Sequence, residues 1–145
     1  MPGGSPAPRR LQAPLAMRSP VPVFRSFDLA KAREFYVGFL GFRVDWEHRF
    51  EEAGPCYLQL SNGDCLLHLS EHYGDACPGA TLRIELDAVD EFCAQLRAKK
   101  YGHARPGEPQ ETPWGTREIA LSDPFGNRLI FYTRVSFRDW ENQSP

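Results

Sequence analysis

The sequence predicts an α+β fold in which two βαβββ modules form curved mixed sheets around a cleft. Two observations carry this prediction. The order strand, helix and three further strands occurs twice, and the second copy repeats the turn chemistry of the first: Phe27-Asp28 answers Leu86-Asp87, and Leu60-Ser61-Asn62-Gly63-Asp64 answers Leu121-Ser122-Asp123-Pro124-Phe125-Gly126-Asn127. The chain has 145 residues, 41% of them hydrophobic and 12% aromatic, which suits one compact domain with a core of its own. A repeat of this length, present only twice, is no solenoid, so each copy must cover the apolar face of the other.

In the first module, Val21 to Phe27 alternates as a strand and Asp28 is a helix N-cap. Leu29, Ala32, Tyr36 and Leu40 make one apolar stripe, and Gly41 stops the helix. Strands follow over Phe42 to Phe50, Cys56 to Leu60 and Cys65 to Ser70, the last two joined through Asn62-Gly63, a strong hairpin signal. In the second module, Thr81 to Leu86 is a strand and Asp87 a cap, with Asp90 completing a capping box. Val89, Phe92, Cys93 and Leu96 stripe a helix that stops at Gly102. A polar, Pro-rich stretch from Arg105 to Gly115 leads to strands Thr116 to Leu121 and Arg128 to Val135. The modules span 20–73 and 80–135. Residues 1–19 read as a disordered leader and 136–145, with Phe137 and Trp140, as a C-terminal tail.

Composition excludes several function classes. With 17 basic and 19 acidic side chains the net charge is −2, and no basic stripe exists to neutralise phosphates, so nucleic acid is not an expected partner. No apolar run approaches the ~20 residues that span a bilayer, and the leader lacks the apolar stretch of a secretory signal. Cys56, Cys65, Cys77 and Cys93 contain no C-x-x-C pair and read as free thiols, consistent with the cytoplasm.

Candidate chemistry centres on four histidines and three tryptophans. His68-Leu69-Ser70-Glu71-His72 fits the H-x-x-E-H zinc pattern, but that pattern needs a helix. On a strand, residues four apart stand ~13 Å from each other, too far to share one zinc. His68 instead lines the cleft and His72 belongs to a loop. His48 and His103 complete the set. No nucleophile elbow, P-loop or dinucleotide fingerprint occurs. Trp46 and Phe50 share a strand face unless a bulge intervenes, and Trp114, between Pro113 and Gly115, is placed for a rim.

The segments Pro22 to Tyr36, Phe39-Leu40-Gly41-Phe42 and Thr112 to Asn127 resemble the vicinal oxygen chelate superfamily, which includes glyoxalase I, extradiol dioxygenases and bleomycin resistance proteins. The opening Val21-Pro22-Val23 and the Pro113-Trp114-Gly115 with Arg117-Glu118 after it are more specifically similar to bleomycin resistance proteins. The resemblance runs from about Pro20 to Val135. It implies metal slots at Val21, His68, Thr81 and Ile130. Three of these offer no proper ligand, so no metal and no other cofactor are expected. What it implies instead is a homodimeric binding protein that sequesters a bleomycin-type antibiotic, flat rings held between aromatic side chains. The positions carried over are Asp45, Trp46, Phe50, Ser70 and Trp114, with His68 beside them. Two alternatives stand against this. One is a metal-dependent lyase or dioxygenase whose ligands have shifted to His68 with His48, His72 or Glu118, and the other is a scaffold without a small ligand.

Overall fold

The computed structural model describes residues 15–135; the leader before residue 15 and the tail from 136 onward lie outside the described residues. Eight strands form two four-stranded mixed sheets of identical design. The first contains β1 (Val23–Arg25), β2 (Arg43–Arg49), β3 (Cys56–Asn62) and β4 (Cys65–Ser70) in the order β1-β4-β3-β2. The second contains β5 (Thr81–Glu85), β6 (Gln110–Glu111), β7 (Thr116–Ser122) and β8 (Arg128–Arg134) in the order β5-β8-β7-β6. In each sheet the first strand runs parallel to the last and the remaining pairs are antiparallel. The α+β fold and the doubled strand order follow the sequence pattern.

Each sheet buries one face. Leu58, Leu60, Leu67 and Leu69 of the first sheet and Ile119, Leu121, Leu129 and Phe131 of the second belong to one core cluster with the helices of both modules. Strand alternation then leaves the opposite faces, with Tyr57, Gln59 and His68 on one sheet and Glu118 and Tyr132 on the other, outside that core.

The first helix starts as read: Asp28 caps it, accepting from the Lys31 N–H at 3.0 Å. Only α1 (Leu29–Ala32) is α-helical, and Arg33–Phe39 continues with π winding. The wider turn brings Phe35 and Phe39 into the core together with Tyr36 and Leu40, broadening the expected stripe. The helix stops at Gly41, whose φ of 85° is a left-handed conformation open to glycine.

The second helix, α2 (Val89–Ala98), corrects two expectations. Its N-cap is Ala88, not Asp87, and no side chain of the cap residue serves it. The Thr133 hydroxyl of β8 does so instead, accepting from the Val89 N–H at 2.8 Å while donating to the Leu86 carbonyl at 2.9 Å. Asp87 stands one residue too early, and Asp90 pairs with Arg117 rather than closing a capping box. The helix also ends before Gly102: Lys100 takes the left-handed turn at φ 53°. Within the stretch read as a polar loop, Gln110–Glu111 adds the short edge strand β6.

The turn between β7 and β8 ties the modules together. Asp123 Oδ1 accepts from the backbone N–H groups of Phe125 and Asn127, both at 2.8 Å. Its Oδ2 accepts from the Tyr36 hydroxyl at 2.7 Å and from Asn127 Nδ2 at 2.8 Å, and Asn127 also donates to the Arg25 carbonyl of β1 at 2.9 Å. Burial, then the Asp123 charge, raise the Tyr36 phenol well above its ordinary pKa, so it remains a donor.

Removing the carboxylate strands four buried donors. Asp123→Ala is therefore expected to lose about 3 kcal/mol or more in chemical denaturation. Thr133→Val, which keeps the shape but removes the cap, is expected to lose about 1 kcal/mol in the same assay.

Candidate binding faces on the two sheets

The uncovered face of the first sheet is shaped by a bulge. Val44 pairs with Leu60 but Trp46 with Gln59, so Asp45 is the extra residue. Val44 accordingly packs on the core, while Asp45 and Trp46, though adjacent, both reach the uncovered face. Beyond the bulge, alternation keeps Trp46 and His48 on that face, and Phe50 follows just past the strand end.

Trp46 lies over Tyr57 with ring centroids 6.0 Å apart and planes within 9°, an offset stack, and meets the His68 ring edge-on at 5.4 Å. It is 44% exposed, so one face of the indole remains open. His48, Phe50 and His72 extend the aromatic surface, with centroid separations of 4.7 and 5.4 Å.

Beneath the rings runs a hydrogen-bonded chain whose direction can be assigned. Asp45 is ionised: hydrogen bonds from Gln59 and Ser61, then Arg43, hold its carboxyl below the ordinary value. Gln59 Nε2 donates to Asp45 Oδ2 at 3.0 Å, which makes Gln59 Oε1 the acceptor toward His68 Nε2 at 2.9 Å. His68 therefore carries its proton on Nε2, and Nδ1 accepts from the Tyr57 hydroxyl at 2.7 Å. Desolvation lowers the His68 pKa and favours this neutral form. Both ring nitrogens are used.

The second sheet presents a different face. Trp114 sits in the turn between β6 and β7, where Gly115 adopts φ 84°, and is 66% exposed. Its Nε1 donates to Glu118 Oε2 at 3.4 Å. That oxygen also accepts from the Thr116 hydroxyl at 2.7 Å and forms an ion pair with Arg83. Arg83 lies over the Tyr132 ring, 4.7 Å from its centroid. Arg83, Trp114, Thr116 and Tyr132 line a pocket of about 680 Å³. The Arg83 hydrogen bond, foremost among the causes, lowers the Glu118 pKa.

The structure thus brings Asp45, Trp46, Phe50 and His68 onto one face, and places Trp114 on the other sheet, at a pocket that none of them lines. Ser70 is fully buried; its hydroxyl donates to Asp75 at 2.6 Å and accepts from the His72 N–H at 3.0 Å, so it braces the following loop and presents no atom to a ligand. Tyr57, Gln59, Arg83 and Tyr132 were not singled out from the sequence. Their signal was the polar half of strands whose apolar half had been read as core.

The metal slots implied by the resemblance do not fit a metal. Val21 and Ile130 have no donor atom, His68 offers no free lone pair, and the cationic Arg83 pairs in register with Ile130. Among the described residues, no group of three or more His, Cys, Asp or Glu is placed to hold an ion. His48, His72 and Glu118 are committed to ring, backbone and ion-pair contacts rather than converging on His68. The cysteines are free thiols, and no helix among the described residues is long and apolar enough to cross a membrane.

Residues 9–137 match the family described as "Glyoxalase superfamily protein". The chain belongs to that superfamily. Its fold is that of the vicinal oxygen chelate proteins, and solved members resemble it over most of their length. A glyoxalase/bleomycin resistance protein from Streptomyces sp. CB03234 is 30% identical, with a TM-score of 0.62 over 77% of this chain and 96% of its own. An antibiotic-binding protein from the same organism is 29% identical, with a TM-score of 0.64 over 83% and 99%. A bleomycin-binding protein solved with bleomycin is 26% identical, with a TM-score of 0.60 over 81% and 99%. No curated protein matches this superfamily member.

Because its folded pKa is depressed, ionised Glu118 contributes stability that is present above the ordinary glutamate pKa and lost as pH falls through the lowered one. With Trp46 and Trp140 replaced by Phe, Trp114 emission is expected to stay constant down to that ordinary value and to change only below it. Glu118→Gln is expected to abolish the transition.

Proposed function

We propose that this chain is a binding protein that sequesters a bleomycin-type glycopeptide antibiotic, or a similar flat aromatic ligand, and confers resistance without turning it over. The observation that carries this reading is the half-open Trp46 ring, stacked on Tyr57 beside an ionised Asp45. A flat heteroaromatic ring can lie on the free indole face while the carboxylate attracts a cationic tail. Phe50 and His68 border that surface, and Trp114 supplies a second exposed ring on the other sheet. Binding requires nothing from a metal, and the relay from Tyr57 to Asp45 holds the face rigid rather than poising a proton for transfer. The protein acts in the cytosol as a homodimer, a second copy covering faces that one chain leaves open. The bleomycin-binding protein among the similar structures supports this reading.

Fluorescence titration with bleomycin is expected to quench tryptophan emission and saturate at micromolar drug, with the recovered drug unchanged in mass. Trp46→Ala and Trp114→Ala are each expected to weaken binding about 3- to 10-fold, the scale of one lost aromatic contact. An unquenched titration, or drug consumed in proportion to time, would count against the reading.

A further inference from the structure

The two faces carry opposite polarity. The first offers a carboxylate beside its rings, whereas the charged side chains lining the pocket beside Trp114 are Arg83 and Arg134, with no Asp or Glu among the lining residues. The carboxylates that balance these arginines stand beside the pocket without lining it: Glu118 pairs with Arg83, and Glu85 with Arg134 at 3.2 Å. Arg83 is not consumed by that pairing. A guanidinium has five N–H donors and a carboxylate meets two of them, so donors remain for a ligand.

The pocket also has the shape and walls for a flat group. Tyr132 supports one side of the Arg83 guanidinium, Trp114 stands exposed at the rim, and about 680 Å³ falls within the range of small-molecule sites. Glu118 fixes Arg83, Thr116 and Trp114 at once, so the donors and the indole are held in place before any ligand arrives. Preorganised N–H donors in a pocket that two aromatic side chains also line match a planar ring bearing an in-plane anionic group.

From this arrangement we infer that the pocket beside Trp114 is a subsite for a planar aromatic carboxylate, its acid group held by Arg83 and Arg134 and its ring bounded by Trp114 and Tyr132. The inference rests on reading the chain as a ligand-holding protein and adds the charge preference of this half of the surface. It assigns the second sheet a taste opposite to that of the Asp45 face.

Titration of the full chain with 2-naphthoate and with 2-naphthylmethylammonium, which share one ring system and differ in charge, tests it. The acid is expected to bind at least about tenfold more tightly and to weaken with added salt, as a charge-assisted contact should. Arg83→Gln is expected to lower naphthoate affinity about tenfold, and Arg134→Gln, a change at the exposed rim that leaves the Glu118 pair intact, about threefold. Equal or tighter binding of the ammonium probe, no binding of either probe, or naphthoate affinity unmoved by Arg134→Gln would each overturn the inference. A bleomycin titration run alongside separates the two readings. Drug binding without naphthoate binding removes the subsite alone, and naphthoate binding without drug binding removes the antibiotic reading alone.

Discussion

The buried Asp123 carboxylate is the constraint on which the rest of the molecule depends. A charge withdrawn from water must be met by donors on every side, and here they come from two parts of the chain: the first helix through Tyr36, and the β7–β8 turn through the Phe125 and Asn127 N–H groups and the Asn127 amide, which also reaches β1. Such a network has one satisfactory geometry. It fixes the β7–β8 turn against the first module, so the helices and the apolar faces of both sheets share one core. The opposite faces are left uncovered as a consequence, not by separate design.

Those two faces illustrate how repetition permits divergence. Both modules present polar and aromatic side chains from equivalent strands, but the first builds a neutral relay ending on an acid, and the second sandwiches a base between an acid and a phenol ring. Neither arrangement leaves donor atoms converging on a point. On these uncovered faces the chain presents flat aromatic surfaces and preset hydrogen bonds.

Much of the fold was legible because it rests on alternation and turn chemistry. The strand from Cys65 to Ser70, the Asp28 cap and the Gly41 stop needed only local signals. What escaped was tertiary in origin. Thr133 caps α2 from a strand 44 residues away, and no local pattern discloses that. The π winding from Arg33 to Phe39 lets two additional rings into the core, which a 3.6-residue stripe does not anticipate. Among the candidate residues on the two faces, Trp46, Phe50 and Trp114 could be named because large aromatics stand out in polar surroundings. Arg83, Tyr132 and Gln59 could not, because their meaning comes from cross-strand partners. Ser70 shows the reverse error: a hydroxyl at the end of a strand looks available until the Asp75 and His72 contacts that bury it are known.

The extra residue in β2 has a consequence for how this surface can vary. Ordinarily two neighbours along a strand face opposite ways, and only one of them can meet a given ligand. Here the residue that sets charge and the residue that sets shape are consecutive in the chain yet look out from the same side. A point substitution can therefore change the charge or the shape of this face separately. Deleting Asp45 would restore simple alternation and leave the indole opposite Gln59, so the inserted residue adds a charge to this face without displacing the ring.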